Sequence, residues 1–449
     1  MLATAMLCLA AAPIVFLGDG FVKGWDDSGK SVWEAEFARN SAYGAENGGV
    51  DGETAASLAK RLTDGAVDLA GAKAVVIAVG GEDLKEPSLA VRSPLDVILD
   101  IQAIIGEIRK RNPEAKIVLN PVFPRGARLD DPERRRGNAT RVAIRDFQNA
   151  KDILWCDVSI KLVDDAGALK PEMFAGVDRF TAAGYAVWAK ELKRFLGFAL
   201  GRVPHHPYPQ LGTGPMFPEN AGLPAAAKPR FKRYFLTAKE RRYAVKRAEQ
   251  RRRARTEYDA VWVGDSCTHF WELWNGTPTF DRLFKGKYEI LNLGFGGDDT
   301  ADCLWTCKWS GLQDGYRAKV ICLLIGSNNL PPSASDELIA ETAQGTKRII
   351  AELRAKHPES TILLQPALPR GFEPTSPYRR ILAQYNDIIK TYADGEKVVW
   401  VGELYGRILP ADGTITKDIL CDGVHPNKKG YRIWGETLLP YIEKYCGRR

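Results

Sequence analysis

Histidine and cysteine are scarce in this chain, and long apolar runs are missing. Five histidines in 449 residues leave few candidates for chemistry that needs a base titrating near neutrality. Eight cysteines are scattered, six of them in the second half. They form no CxxC or Cys/His cluster of metal-ligand spacing, which argues against a metal site, and nothing implies a cofactor. Cys303 and Cys307 stand one turn apart on an expected helix, a spacing that reads as packing. No apolar stretch approaches the roughly 20 residues of a membrane helix, so no membrane span is expected. The first twelve residues, MLATAMLCLAAA, read as the apolar core of a secretion signal ending in small residues, without the usual basic start and with Pro13 after the cut. Secretion or the periplasm is one destination on this pattern, and the cytoplasm is the other.

What is present suits a globular protein: 45% hydrophobic and 27% charged residues, in a length that fits two domains of roughly 200 residues. The net charge of +7 is unevenly spread. Between Lys228 and Arg255 there are 13 Lys/Arg against two Glu, a local excess of 11, so the remainder sums to 7 − 11 = −4. Pro and Gly crowd Val203–Pro229, which marks a linker. After it, AKERRYAVKRAEQRRRAR (Ala238–Arg255) reads as a solvated connecting helix, with contact to an anionic surface as the sharper alternative. Aromatic interleaving is thin (Tyr234, Phe235, Tyr243), so no nucleic-acid partner is expected.

The chain repeats itself. PIVFLGDG (Pro13–Gly20) answers AVWVGDS (Ala260–Ser266), and AVVIAVGGEDL (Ala74–Leu84) answers VICLLIGSNNL (Val320–Leu330). AKIVLNPVFPRG (Ala115–Gly126) answers STILLQPALPRG (Ser360–Gly371), and AAGYAVWAKEL at Ala182 answers KKGYRIWGETL at Lys428. Four landmarks in order at matching spacing indicate a duplication. The expected organisation is 1–202 as one copy, 203–257 as a Pro-rich and then basic linker, and 258–449 as the other copy. In the second copy strands are expected at Ala260–Val263, Glu289–Leu293, Val320–Ile325, Thr361–Gln365 and Val398–Val401. Ser335–His357 and Pro377–Tyr392 read as helices. Apolar strands alternating with helices predict a parallel, doubly wound α/β sheet, with ligands at the C-terminal strand ends.

Gly264-Asp265-Ser266 follows the first of these strands, which sets Ser266 where the cleft should be. A serine hydroxyl needs a base to become a nucleophile. His205 and His206 lie in the linker, His357 ends a helix, and His269 is placed to line the cleft as a candidate substrate contact. His425 stands in Asp422-Gly423-Val424-His425-Pro426, with Asp422 near enough to hold one imidazole nitrogen while the other faces Ser266. Asp-x-x-His alone reads first as a satisfied surface pair. Two further blocks, Asn292–Asp298 (NLGFGGD) and Gly326-Ser327-Asn328-Asn329, follow the next two strands. They can supply a backbone N–H and a side-chain amide to an oxyanion, although Gly and Asn are also common in ordinary turns. Asn329 is a further candidate substrate contact.

GDS, the glycine of the second block, the Asn of GxNN and DGVH together resemble the four blocks of the SGNH/GDSL hydrolases. NLGFGGDDTADCLW and LPRG look like the platelet-activating-factor acetylhydrolase catalytic-subunit branch. The resemblance covers Ala260–Tyr445. It implies two three-layer α/β/α, flavodoxin-like domains with parallel five-stranded sheets. It also implies Ser266 as nucleophile, the Ser266 and Gly297 N–H groups and the Asn328 amide as oxyanion donors, and Asp422 and His425 completing a triad. The activity implied is metal-free hydrolysis of a small-molecule or glycan ester, with acetyl the first choice of acyl group and an O-acetylated carbohydrate as carrier. A lysophospholipase or thioesterase is the alternative within that chemistry, and a non-catalytic glycan-binding protein lies outside it.

The first copy departs at each chemical position. Gly20 stands for the serine, Glu82 for Asn328, and Ala175-Gly176-Val177-Asp178 for DGVH, with no histidine before His205. Serine–histidine catalysis is therefore excluded there, and an inactive domain kept for packing or binding is expected. An acid-based chemistry through Asp19, Glu82 and Asp178 is the alternative.

Overall fold

The β-branched runs of both copies form strands in a computed structural model that describes residues 12–85, 92–149, 151–164, 167–176, 178–204, 220, 222–230, 236–273 and 275–447. Residues 1–11 of the signal-like segment, and His205 and His206 in the Pro-rich stretch, lie outside the described residues. The chain divides into two compact units, Met1–Ala221 and Gly222–Arg449. The first carries β1 (Ile14–Gly18), β2 (Ala45–Gly49), β3 (Ala74–Ala78), β4 (Lys116–Leu119) and β5 (Ile153–Trp155). The second carries β6 (Glu257–Gly264), β7 (Ile290–Gly294), β8 (Arg317–Leu324), β9 (Thr361–Leu364) and β10 (Val398–Trp400). Every pairing is parallel, in the orders β2-β1-β3-β4-β5 and β7-β6-β8-β9-β10. The two orders are the same, and helices alternate with the strands in both units, as in flavodoxin-like doubly wound sheets.

Strand alternation shows why these runs are apolar throughout. Ala260, Trp262, Val320, Cys322, Leu324 and Leu363 share one core with Trp434, Leu438 and Ile442 of the last helix, Lys428–Cys446. The intervening Val261, Val263, Ile321, Leu323, Ile362 and Leu364 are just as buried, so both faces are covered. Helices Thr300–Trp309, Asp336–Lys356 and Tyr378–Lys390 pack on one another in turn, whereas Thr277–Leu283 and Glu403–Ile408 pack on Lys428–Cys446. Cys303 and Cys307 are both buried as free thiols on the helix Thr300–Trp309.

The duplication extends to matched hydrogen bonds. Tyr185 donates to the Phe21 carbonyl at 2.7 Å and Tyr431 to the Cys267 carbonyl at 2.7 Å. Trp188 donates to Asn120 Oδ1 at 2.9 Å, and Trp434 to Gln365 Oε1 at 2.5 Å. Asn47 and Asn292 each accept from the backbone N–H two residues on, at 3.1 and 2.9 Å. These bonds tie the final helix of each unit to the same places and brace the end of its second strand in the same way.

The basic segment differs from the expected solvated connector. Helix Leu236–Arg253 packs on the second unit. Tyr243 is 1% exposed, with its hydroxyl 2.6 Å from Thr306 Oγ1 and its ring 4.3 Å from Phe295. Lys246 is 2% exposed and bridges Glu272 at 2.5 Å and Glu249 at 2.9 Å. Arg242 donates to the Gly294 carbonyl at 2.6 Å and to that of Asn292 at 3.4 Å, and Arg253 donates to that of Ile290 at 3.0 Å. Those three carbonyls lie on alternate residues of the outer strand β7, the set directed away from β6. Aliphatic stems and paired charges let a helix with few apolar residues bury one side. Among the described residues no helix is long and apolar enough to cross a membrane.

Candidate active site

Strand β6 ends at Gly264, and Asp265 caps the short helix Ser266–His269 by accepting from the Cys267 N–H at 2.9 Å. Burial pushes the Asp265 carboxyl up from its ordinary value. The cap fixes Ser266, 9% exposed, at the strand's C-terminal end. Ser266 Oγ lies 2.8 Å from His425 Nε2, and His425 Nδ1 lies 2.7 Å from Asp422 Oδ2. The other Asp422 oxygen accepts from the N–H groups of Val424 at 2.9 Å and His425 at 2.8 Å. Partial burial raises the Asp422 carboxyl, but the hydrogen bonds from His425 and Val424 outweigh it and hold the group below its usual range. The Leu420↔Pro426 bridge and a Cys421 N–H to His425 O bond of 2.9 Å close the loop. An imidazole so held can take a proton from the serine while the carboxylate stabilises the cation that forms.

Two left-handed glycines shape the facing loops. Gly326 has φ +107°, and a Cβ there would fall 2.2 Å from the Tyr385 hydroxyl, so the turn that presents Asn328 admits only glycine. Asn328 donates to the Asp298 carbonyl at 2.9 Å, which anchors its amide between the second and third blocks. Gly297 has φ +78°. Ser266, His269, Phe270, Phe295, Gly296, Gly297, Asn328, Val424 and His425, with Arg242 and Arg370, line one cleft of about 440 Å³.

His269 lies in that wall, its imidazole pushed down to about 3 by burial and by the nearby Arg242 and Lys246, so it is neutral at ordinary pH. Asn329 is brought elsewhere: its Oδ1 accepts from the Thr300 N–H at 3.0 Å, capping a helix, and it does not line the cleft. Asp83, its counterpart in the first copy, makes the same bond to the Ala55 N–H at 2.8 Å. The bond that the structure shows for the Asn329 side chain is thus one to a neighbouring helix. Sequence reasoning missed Arg242 and Arg370. The repeated Pro-Arg-Gly was a usable signal for Arg370, whereas Arg242 was hidden in a run of like charges. No group of three or more His, Cys, Asp or Glu suited to a metal ion occurs among the described residues.

The first unit fills the matching region with ion pairs. A Cβ on Gly20 would lie 2.7 Å from Asp178 Oδ2 and 3.1 Å from Arg179 Nη1. Arg179 donates to the Gly20 carbonyl at 3.0 Å and pairs with Asp51 at 2.8 Å and Asp27 at 3.0 Å. Glu82 pairs with Arg125 at 2.7 Å, both side chains 4% exposed, and also with Lys85. Burial raises Asp19 to about 7. Of the three carboxylates weighed for acid chemistry, Glu82 is thus committed to two cations, and Asp178 stands 3.7 Å from Arg179.

Fold and cleft define an ester hydrolase of the doubly wound α/β class. The model of the GDSL-like lipase/acylhydrolase family matches twice, over residues 16–187 and 262–433. Platelet-activating factor acetylhydrolase IB subunit alpha2 of Rattus norvegicus is 30% identical over 178 residues, 39% of this chain and 72% of that protein. Subunit alpha1 of Homo sapiens is 27% identical over 178 residues, 39% of this chain and 71% of that protein. Among solved structures, a GDSL-like lipase from Bacteroides thetaiotaomicron is similar with TM-score 0.35 and 18% identity, covering 41% of this chain and 88% of that one. A catalytic mutant of an acetylxylan esterase from Geobacillus stearothermophilus has TM-score 0.31 and 16% identity, covering 42% and 94%. The chain belongs to the GDSL-like lipase/acylhydrolase family, as a tandem duplication, and is a carboxylic ester hydrolase.

Proposed function

We propose that the second unit hydrolyses a short-chain ester, with acetyl the first choice and an O-acetylated carbohydrate as carrier. The observation that carries this reading is the relay Ser266 Oγ–His425 Nε2 at 2.8 Å and His425 Nδ1–Asp422 Oδ2 at 2.7 Å. Ser266 attacks the carbonyl carbon as His425 takes its proton. The tetrahedral oxyanion is held by the N–H groups of Ser266 and Gly297 and by the Asn328 amide. Collapse expels the alcohol, which receives the proton from His425, and leaves an acyl-serine. Water activated by His425 then releases the acid. The acetyl preference draws on the acetylhydrolase names of the relatives. The domain boundary belongs to the same proposal: a non-hydrolytic first copy, with residues 258–449 forming the catalytic one.

The test is p-nitrophenyl acetate hydrolysis by wild type, Ser266→Ala and His425→Ala, with the octanoate ester alongside. Acetate turnover that vanishes in both folded variants is expected. Retained activity in either would sink the assignment of Ser266 and His425. Octanoate preferred over acetate would move the substrate toward lipid esters.

A further inference from the structure

The Pro-Arg-Gly motif occurs in both copies, yet the hydrolytic reading makes no use of its arginine. In the first unit, Arg125 Nη2 sits 2.7 Å from Glu82 Oε1, and the pair is shut off from solvent. Glu82 holds the sequence position that Asn328 takes in the second copy. There the acid has gone and the arginine has stayed. Arg370 Nη1 donates to the Ser327 carbonyl at 2.9 Å, and the guanidinium rests 4.9 Å over the Tyr378 ring. It forms no ion pair with a carboxylate among the described residues, while its Nε, like that of Arg125, is buried without a hydrogen-bond partner. Arg370 lines the cleft beside Ser266, Asn328 and His425, and no acidic side chain lines it. The other lining cation, Arg242, is already paired with Glu272 at 2.8 Å, a carboxylate it shares with Lys246. A positive charge with donor capacity to spare therefore faces the place where an ester would be held.

We propose that Arg370 binds a carboxylate carried by the substrate, as Arg125 binds Glu82, so that the preferred substrates are acetylated acidic sugars of the uronic type. This rests on the esterase reading of the cleft. Glu82 then serves as a built-in counterpart of the substrate anion, since the same motif in the same fold already holds a carboxylate. A planar guanidinium fork matches a carboxylate in geometry as well as charge. His269, neutral at ordinary pH, adds shape and hydrogen bonding to the wall and no competing charge. A purely structural role for Arg370 is the rival, because its charge also offsets the buried Asp265.

The experiment compares acetate release from a mono-O-acetylated methyl glucuronoside and the methyl glucoside acetylated on the same hydroxyl, which differ only in carboxylate against hydroxymethyl. Wild type is expected to favour the uronoside in kcat/KM by about tenfold or more, about 1.4 kcal/mol. The ratio should shrink with rising ionic strength, fall toward one in Arg370→Gln, and partly persist in Arg370→Lys. The ratio is the readout because loss of the counter-charge to Asp265 lowers both esters alike. Arg370→Lys, which keeps that charge, covers failure of the Gln variant to fold. Equal rates on the two sugars in wild type, or a ratio that Arg370→Gln leaves unchanged, overturns the inference. The esterase reading survives that outcome if p-nitrophenyl acetate is still cleaved in a Ser266-dependent manner. Cleavage of neither sugar also overturns the inference, and the same chromogenic assay then decides the esterase reading separately.

Discussion

Asp422 does two jobs with its two oxygens, and substitution separates them. One oxygen accepts from the backbone of Val424 and His425, which shapes the loop, and the other faces the His425 ring at 2.7 Å. An imidazolium and a carboxylate at that separation attract by about 1.5 kcal/mol in bulk water and by about 6 kcal/mol at an effective dielectric of about 20. The Asp422 side chain is 52% exposed and that of His425 24%, so the pair sits between these limits, at about 3 kcal/mol or roughly a hundredfold in kcat/KM. Asp422→Asn keeps an oxygen for the loop but removes the charge, and should lose about that factor on p-nitrophenyl acetate. Asp422→Ala removes both functions and should lose at least as much. His425→Ala should be lower than either by about tenfold or more, because water can partly replace an exposed carboxylate but not the base. An Asn variant within about threefold of wild type, or one as inactive as His425→Ala, would refute the partition.

Burial raises the Asp19 and Glu53 carboxyls to about 7. Between the ordinary Asp value of 3.8 and about 7 the folded first unit therefore holds more protons than the unfolded chain, so its stability falls as pH rises through that window. Asp19→Asn should flatten the decline in Tm of that unit between about pH 5 and 8, a difference on the order of 2 kcal/mol; an unchanged slope would count against a proton on Asp19. Tyr243→Ala should destabilise the second unit by about 3–5 kcal/mol in urea unfolding, as for a large buried aromatic. Val245→Ala on the same helix, 58% exposed, should stay within about 0.5 kcal/mol. Equal, small effects at both positions would restore the helix to a solvated connector.

Much of the fold was legible because its elements are locally determined. Strand runs such as Val320–Ile325 are apolar throughout since both sheet faces are covered, and four repeated landmarks in order at matching spacing mark the duplication. Ser266, Asp422 and His425 could be picked out because each follows a strand end or sits on a short loop, and because histidine is rare. The misses share a different cause. Lys246 and Arg242 look solvated in sequence because their partners, Glu272 and the β7 carbonyls, lie 26 to 52 residues away. Asn329 follows Asn328 directly, but on a tight turn adjacent side chains diverge, and only one can face the cleft. The freedom of Arg370 is visible only against Arg125, since a missing partner leaves no mark in a sequence read one position at a time.

The arginines laid along β7 bear on how a duplicated chain avoids tangling with itself. Two sheets of identical strand order, encoded in one polypeptide, offer competing strands while folding proceeds, and exchange between repeats is a characteristic failure of such proteins. An outer strand with open carbonyls invites that exchange. Here Arg242 and Arg253 occupy the carbonyls of Ile290, Asn292 and Gly294 with donors that end the ladder rather than extend it. Once docked, the helix lets the second sheet accept no sixth strand on that side, from its sister copy or from another molecule. The charge run that looks like a spacer thus acts as a stop codon for the sheet.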